Sequence, residues 1–298
     1  MILILVLLIS ALSAAAQTFA LHPDKPAVCG DCADWNRAHA PFHIYGNTDY
    51  VGTAGLSSLV VKTNHGLVLF DGALPQSAPL IVNSIRALGL DPRDVRYILV
   101  SHTHFDHAGG VAALQRATGA RVVSSLRGAA ALRLGHPTPD DPQADQQGFA
   151  TVHSVRTIAD HAKLRLGNVE FTAHYTPGHT PGGMTWTWQS CEADRCLHMV
   201  YADSLTALST VPGFRFSGDA THPDLVPRFQ QSIATIAALP CDILFAPHPG
   251  SIAMDDKLRL RQQHPAEDPF IDTSACKRYA ESAAKHLDER IAQENPQR

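Results

Sequence analysis

The segment Ser101–His107 constrains the fold of this chain more than any other part of its sequence. It carries four potential metal ligands within six positions, namely His102, His104, Asp106 and His107. A β-branched and aromatic run, Val95–Val100, comes directly before it and predicts a buried strand. The four side chains therefore follow the end of a strand, at the rim of a sheet. In open α/β sheets, this rim is where ligands usually bind.

The spacing of these side chains indicates that they bind metal ions. Residues two apart in extended backbone point to the same side, so His102 and His104 can chelate one ion. Asp106 and His107 are adjacent, and a turn of the chain can bring them to a second position beside the first. Imidazole nitrogen and carboxylate oxygen together favour zinc. A histidine-rich surface loop is the alternative, since the chain has 17 histidines, but four ligands in six positions favour a metal site.

The N-terminus predicts export of the protein. Residues 1–16 form an apolar run that ends in small residues, which is typical of a secretory signal peptide, although the usual basic start is missing. We expect cleavage near Ala16, a periplasmic location and no stable membrane association afterwards. An uncleaved N-terminal anchor is the alternative. Residues 17–298 are predicted to form a single domain, because about 280 residues can bury one large core.

Charge and cysteine content limit the partners and the compartment. A net charge of −4 and a pI near 6.5 provide no basic surface for nucleic acid, so we expect no nucleic-acid partner. Six cysteines that follow an export signal favour disulfides over thiol chemistry. The protein is therefore expected to fold in an oxidising compartment.

Cysteine spacing suggests a disulfide pattern, although sequence alone does not fix it. Two cysteines bracket a turn-like tetrapeptide between two predicted strands, and two others lie close together in the chain, so each couple can pair locally. We expect Cys191–Cys196 and Cys29–Cys32 as these local bonds, which leaves Cys241–Cys276. A structural zinc site that uses Cys29 and Cys32 is the competing interpretation, but it lacks a second nearby pair of cysteines.

The remaining hydrophobic pattern predicts two groups of strands and several helices. A hairpin of Leu56–Thr63 and Leu67–Phe70 comes first. Four later segments predict a second sheet, and they are Leu164–Leu166, Val169–Tyr175, Met184–Gln189 and Leu197–Ala202. Helices are predicted after the N-cap residues Ser77 and Thr221, and again near the C-terminus over Ser274–Ala292. Between the two strand groups, His136–Ala150 is rich in Pro, Asp and Gln, which predicts a long surface loop of the kind that often covers an active site.

Two further histidines occur in the same kind of place as the opening cluster. His179 lies in Thr176–Gly183, a loop with two prolines and three glycines that follows a predicted strand. His248 lies in Pro247–Gly250, directly after the predicted strand Asp242–Phe245. Each alone is compatible with an ordinary loop histidine. Three strand-end loops of this kind favour one shared metal site.

Together these residues resemble the metallo-β-lactamase superfamily. The resemblance rests on His102-x-His104-x-Asp106-His107, on His179 within Pro-Gly-His-Thr-Pro-Gly-Gly and on His248, and it extends over nearly all of the chain after residue 16. It implies an αββα sandwich of the α/β class, in which two mixed β-sheets are flanked by helices and two zinc ions lie at one edge. The order of the predicted strands and helices is consistent with that fold.

Within this superfamily, the chain is most similar to the third subclass of zinc-dependent β-lactamases. The other two subclasses have a cysteine ligand in the segment where this chain has Ser204. The resemblance implies three ligands for each of two zinc ions: His102, His104 and His179 for the first, and Asp106, His107 and His248 for the second. Lactonases and glyoxalase II of this superfamily instead bridge their metals with an aspartate, for which Asp203 is the candidate counterpart. Adjacent residues of an extended strand face opposite ways, so only one of Asp203 and Ser204 points at the metals, and we favour a supporting role for Asp203.

The activity that the resemblance implies is hydrolysis of the lactam amide bond of penicillins, cephalosporins and carbapenems, which confers β-lactam resistance. The nucleophile would be a metal-bound hydroxide that Asp106 orients. Ser204 and Thr206 are predicted to bind the substrate carboxylate, and Gln143 is predicted to reach the substrate from the long loop. We expect a monomer with two zinc ions. The alternatives are another hydrolase of this fold, such as a lactonase or a glyoxalase II-like thioesterase, or a non-catalytic exported zinc-binding protein.

Overall fold

The computed structural model describes residues 19–294 of the chain. The signal peptide predicted at residues 1–16 lies outside this range, and so do residues 17–18 and 295–298 at the ends of the predicted domain. Within the described range, no helix is both long enough and apolar enough to cross a membrane.

A seven-stranded sheet forms the first layer of strands. Its members are β1 (Phe42–Tyr45), β2 (Thr48–Tyr50), β3 (Leu59–Thr63), β4 (Gly66–Phe70), β5 (Val95–Leu99), β6 (Arg121–Ser124) and β7 (Val155–Thr157). The strands lie side by side in chain order. The first four are antiparallel, whereas β4 to β7 are parallel. Parallel neighbours need long crossovers, and helices provide them here.

A five-stranded sheet forms the second layer. Its members are β8 (Lys163–Leu166), β9 (Val169–Tyr175), β10 (Met184–Glu192), β11 (Arg195–Tyr201) and β12 (Ile243–Phe245). The order across the sheet is β12-β11-β10-β9-β8, and β12 pairs in parallel with β11 while the other pairs are antiparallel. Both sheets are therefore mixed.

Eight α-helices lie before, between and after the strands in the described residues. They are α1 (Cys32–Trp35), α2 (Ala78–Ala87), α3 (Phe105–Ala108), α4 (Val111–Thr118), α5 (Leu126–Leu134), α6 (Val226–Ala238), α7 (Met254–Gln263) and α8 (Ala275–Glu294) within residues 19–294. Gly119 and Gly135 end α4 and α5 in the left-handed conformation that glycine adopts without strain.

The alternation of side chains along the strands divides the interior into two cores. In β4, Val68 and Phe70 belong to the core that contains the second sheet together with α6 and α8. Leu67 and Leu69 belong to the other core, which contains α2 and α4. Successive side chains of a strand point to opposite faces, so one strand serves both cores. The layers are thus helix, sheet, sheet and helix, and the predicted αββα sandwich is confirmed.

Three disulfides join cysteines within the described residues, and they are Cys29–Cys32, Cys191–Cys196 and Cys241–Cys276. Cys191 and Cys196 face each other across the β10–β11 hairpin, and Cys241 ties the start of β12 to α8. Both cysteines of the first pair are consumed by a disulfide, so they are unavailable for the alternative zinc site. Disulfides persist in oxidising compartments.

Some local expectations from sequence were wrong. The helix predicted after Thr221 begins instead at Val226, whose N–H donates to the Asp224 carboxylate, while Thr221 bonds to Asp219. Ser77 precedes α2 but gives no side-chain cap, because its hydroxyl donates to Asn36.

Two longer segments also differ from expectation. The first strand of the predicted hairpin begins at Leu59 rather than Leu56. The middle of the loop His136–Ala150 is not at the surface, since Asp141 and Gln143 are only 2% and 1% exposed. The physical reason is that these polar side chains have hydrogen-bond partners inside the protein.

Candidate metal centre

A buried carboxylate fixes the strand end that carries the metal-binding segment. Asp71 directly follows β4 and has a left-handed backbone conformation, with φ 55°. Its carboxylate accepts hydrogen bonds from the Ser101 N–H (2.7 Å), the Ser101 hydroxyl (2.7 Å) and the Tyr201 hydroxyl (2.8 Å). Tyr201 ends β11 in the second sheet. Asp71 therefore joins the two sheets immediately beside His102.

Three histidines form a first group of ligands, here called the first trio: His102, His104 and His179. All three are buried. Their ring centroids are 4.8, 4.9 and 5.0 Å apart, and their planes are inclined by 77° to 90°. Two of them follow β5 and the third follows β9, as the sequence predicts. One ring nitrogen of each lies within 4.8 Å of the others, so the three converge on one point.

Each ring of the first trio is oriented by a hydrogen bond on its far side. The acceptors are two carboxylates and one backbone carbonyl, none of which can donate when the carboxylates are ionised. The pairs are His102 Nδ1 with Asp203 Oδ1 (2.8 Å), His104 Nε2 with Asp141 Oδ1 (3.1 Å) and His179 Nδ1 with the Thr206 carbonyl (2.9 Å). Such bonds fix the tautomer and leave the opposite nitrogen of each ring with a lone pair for a metal.

A second trio, Asp106, His107 and His248, lies beside the first. Asp106 Oδ2 is 3.1 Å from His107 Nε2 and 3.3 Å from His248 Nε2, and these two nitrogens are 3.2 Å apart. The ring of His107 is 4.3 Å from that of His102, centroid to centroid, so the two trios are adjacent. The indole of Trp35 packs against His248 at 5.3 Å between ring centroids.

Burial keeps most of these imidazoles uncharged near neutral pH. It lowers the pKa of His102 well below its usual value, lowers that of His179 to about 3 and also lowers that of His107. Burial alone would raise the pKa of Asp106, but its electrostatic interaction with His107 and hydrogen bonds from His107 and His248 hold it well below its usual range. Neutral imidazoles and an ionised carboxylate are the protonation states that bind metals.

The polar atoms at the centre of the two trios fit divalent cations. His102 Nε2 is buried and has no hydrogen-bond partner among residues 19–294. In the second trio two ring nitrogens and one carboxylate oxygen lie within 3.3 Å of one another, so three possible ligand atoms converge on one point. A cation at each centre would bind these atoms. Donor sets of three histidines, and of two histidines with a carboxylate, are ones that zinc favours.

The residues predicted to contact substrate lie close to the first trio. Ser204 is nearly buried next to Asp203, and Thr206 is exposed while its carbonyl holds His179. The Gln143 side-chain nitrogen is 3.4 Å from His104 Nδ1. Contact of these three side chains with a substrate remains a prediction.

Asp203 belongs to neither trio. Its Oδ1 binds the outer nitrogen of His102, and its Oδ2 is buried without a partner among the described residues. Gly183 lies so close that an added Cβ would be 2.1 Å from this oxygen, which explains the glycine there. The Tyr279 hydroxyl donates to the Asp203 carbonyl at 3.0 Å. These contacts place the carboxylate behind His102, in the supporting position favoured from the sequence.

The roles of two carboxylates that support the metal ligands were not predicted from the sequence. Asp141 lies in a loop with no hydrophobic period, and it is 37 residues from the histidine that it orients. Asp71 follows a strand, and the pair Asp71–Gly72 predicts only a turn. A carboxylate beside a turn is common, so only the folded chain identifies the partners of Asp71 and Asp141.

Comparison with known proteins places this centre in a family. The sequence pattern of the metallo-beta-lactamase superfamily matches residues 51–193. Among solved structures, the Rm3 metallo-beta-lactamase is 45% identical with a TM-score of 0.87, and the match covers 90% of this chain and 100% of that chain. The chain belongs to the metallo-β-lactamase superfamily. MEM-A1, a subclass B3 metallo-beta-lactamase isolated from a soil metagenome library, is 43% identical with a TM-score of 0.85 and coverage of 89% and 100%. The predicted resemblance to the superfamily and to its third subclass is confirmed, and so is the prediction of a hydrolase.

Relatives found by sequence comparison include other hydrolases. A hydroxyacylglutathione hydrolase of Cereibacter sphaeroides is 33% identical over 193 residues, which cover 62% of this chain and 61% of that protein. An N-acyl homoserine lactonase, AttM, of Rhizobium radiobacter is 32% identical over 109 residues, which cover 34% and 38%. The chain thus spans less than two thirds of the length of these relatives.

Proposed function

We propose that this protein is a zinc-dependent β-lactamase that hydrolyses the lactam amide bond of penicillins, cephalosporins and carbapenems. The observation that carries the proposal is the position of Asp203, which lies behind His102 and outside both trios. In the alternative hydrolases an aspartate of this segment is expected to bridge the metals. The overall similarity to subclass B3 enzymes supports the same assignment.

In this proposal, each trio would hold one zinc ion. Zinc in these places would supply Lewis acidity and would activate water as the nucleophile. The protein contributes the rigid placement of the ligands, through the far-side hydrogen bonds of the first trio and through Asp71 behind the strand end. Three protein ligands for each ion leave positions open for water and substrate, which favours catalysis over zinc storage.

Substrate binding is proposed to depend on hydroxyls beside the first trio. β-Lactams of these classes carry a carboxylate, and Ser204 and Thr206 would donate hydrogen bonds to it. Thr206 is well placed for this role, because it is exposed while its own carbonyl is fixed by His179. Gln143 would approach the substrate from the loop beside His104 Nδ1, from which its side-chain nitrogen is 3.4 Å away. We further propose that the protein acts in the periplasm as a monomer; the three disulfides of the described range support the oxidising compartment.

The test is an assay of the zinc-loaded protein against a panel of β-lactams, a thioester and a homoserine lactone, each with and without a chelator. We expect opening of the β-lactams that the chelator abolishes and that serine-directed inhibitors leave unchanged. If the zinc-loaded protein left a chromogenic cephalosporin intact and cleaved the thioester or the lactone, the proposal would be refuted. Binding of zinc without any turnover would instead favour a zinc-binding protein.

A further inference from the structure

A cavity of about 430 Å³ lies beside the proposed substrate site, between the segment that follows His248 and helix α8. Thr206 belongs to its lining, and so do Gly250 and Ser251, which come just after His248. The cavity therefore adjoins the segment that follows His248 of the second trio and the residue whose carbonyl accepts a hydrogen bond from His179 of the first trio. A substrate whose carboxylate lies on Thr206 would have this cavity next to it.

Basic side chains contribute to the lining of the cavity. Lys257, Arg278 and His286 all contribute to it, together with the hydroxyl residues Ser251 and Ser282. Arg278 is paired with Asp272, so its charge is largely compensated. Lys257 is the cation of the lining that forms no ion pair within the part of the chain that the structure describes. Its ammonium lies over the ring of Phe270, 5.5 Å from the centroid.

The position of Lys257 suits the binding of an anion. Its side chain is partly buried, and burial lowers its pKa because the charged form loses water. The nearby carboxylates of Asp272 and Asp268 oppose this effect, but each is engaged by an arginine, Arg278 and Arg261 respectively. A carboxylate in the cavity would pair with the Lys257 ammonium and would compensate for the hydration that burial removes.

We propose that this cavity is a subsite for a second negatively charged group of the substrate, namely a carboxylate on the part of the β-lactam that extends past Thr206. The proposal rests on the β-lactamase function proposed above. It gives the enzyme a preference for β-lactams with two carboxylates over otherwise similar β-lactams with one. Lys257 is the main determinant, and His286 and the two serines donate further hydrogen bonds.

The test compares two cephalosporins. Both have the usual carboxylate on the six-membered ring, and only one has a second carboxylate, on the substituent of that ring. For Lys257→Met, the ratio of kcat/KM for the dianionic substrate to that for the monoanionic substrate should fall about tenfold, as for the loss of one partly exposed charged contact. Lys257→Glu should lower the ratio further. Lys285→Met is the matched control, because Lys285 lies on α8, which borders the cavity, but is not part of the lining and pairs with Glu289. Its ratio should equal that of the wild type.

Equal ratios of kcat/KM in the wild type and in Lys257→Met would overturn the proposal. A fall of this ratio in Lys285→Met as large as that in Lys257→Met would also overturn it, because it would indicate only a long-range effect of net charge. A binding measurement separates failure of the subsite from failure of the β-lactamase function. Glutarate should shift the backbone amide resonances of Ser282 and Ala283 in the wild type and not in Lys257→Met, whether or not the protein opens β-lactams. Absence of these shifts in the wild type would also contradict the proposal.

Discussion

Replacement of Asp203 by Asn separates a supporting aspartate from a metal-bridging one. The Asp203 carboxylate accepts a hydrogen bond of 2.8 Å from His102 Nδ1, and both side chains are completely buried. Asn has the same shape, but its amide carries no charge, and its NH₂ group would replace an oxygen that has no partner among residues 19–294. The variant therefore weakens the support of one ligand in the first trio and leaves the second trio untouched.

The size of the effect follows from the new amide, whose oxygen can still accept from His102 Nδ1 but whose NH₂ group has no acceptor beside it. A buried donor that is left unsatisfied costs about 1–3 kcal/mol. Removal of an outer partner of a metal-binding histidine typically lowers metal affinity about 10- to 100-fold, which is about 1.4–2.7 kcal/mol. The two ranges agree, so we expect the zinc affinity of the first trio to fall about 10- to 100-fold.

The assay is competition for zinc against a chromophoric chelator, which resolves the two binding steps. One affinity should fall in Asp203→Asn while the other stays within about twofold of the wild type, since the second trio makes no contact with the changed group. Asp242→Asn is the matched control, because Asp242 also accepts a bond from a histidine, His198 Nδ1 at 3.0 Å, but lies away from both trios. Simultaneous loss of both zinc ions would contradict a supporting role for Asp203 and would identify it as a bridging ligand.

Three further predictions concern other residues around the centre. Asp141→Asn should lower kcat/KM about 10- to 100-fold through misorientation of His104, with circular dichroism showing an intact fold; unchanged kinetics would exclude this role. Thr206→Val should raise KM for a cephalosporin about tenfold with kcat nearly unchanged, because it removes the hydroxyl but keeps the carbonyl that binds His179; an unchanged KM would contradict the substrate role. Burial raises the pKa of Asp71 from 3.8 to about 7, so its contribution to the stability of the metal-free protein is complete below pH 3.8 and is lost as the pH rises through about 7. Asp71→Asn cannot ionise, so urea unfolding of the metal-free variant should show a smaller loss of stability over this pH range than the wild type, and equal slopes would contradict the assignment.

Much of the centre could be predicted because its ligands are local and chemically distinctive. The cluster from His102 to His107 is short, and its position after a β-branched run identifies a strand end. His179 and His248 stand in loops rich in proline and glycine after strands, so their approach to the cluster follows from the meeting of strand ends at one edge of a sandwich. The structure brings all of these side chains together in the two trios.

The supporting residues could not be predicted in the same way. Asp141 acts on a histidine far away in sequence, and the loop around it is ordered by side-chain hydrogen bonds that leave no periodic pattern. The start of α6 was misplaced because Thr221 is of a residue type that often caps helices, whereas in the structure it bonds to Asp219 and the N-cap position belongs to Leu225. The short strands β1 and β7 lack the length that makes alternation visible.

Each of the two neighbouring trios is proposed to hold one zinc ion. Diffraction from crystals of the zinc-loaded protein, recorded on both sides of the zinc absorption edge, would locate these ions. We expect two anomalous peaks per chain, one bonded to His102, His104 and His179 and the other to Asp106, His107 and His248. A single peak, or a peak bonded to Asp203 between the trios, would contradict this proposal.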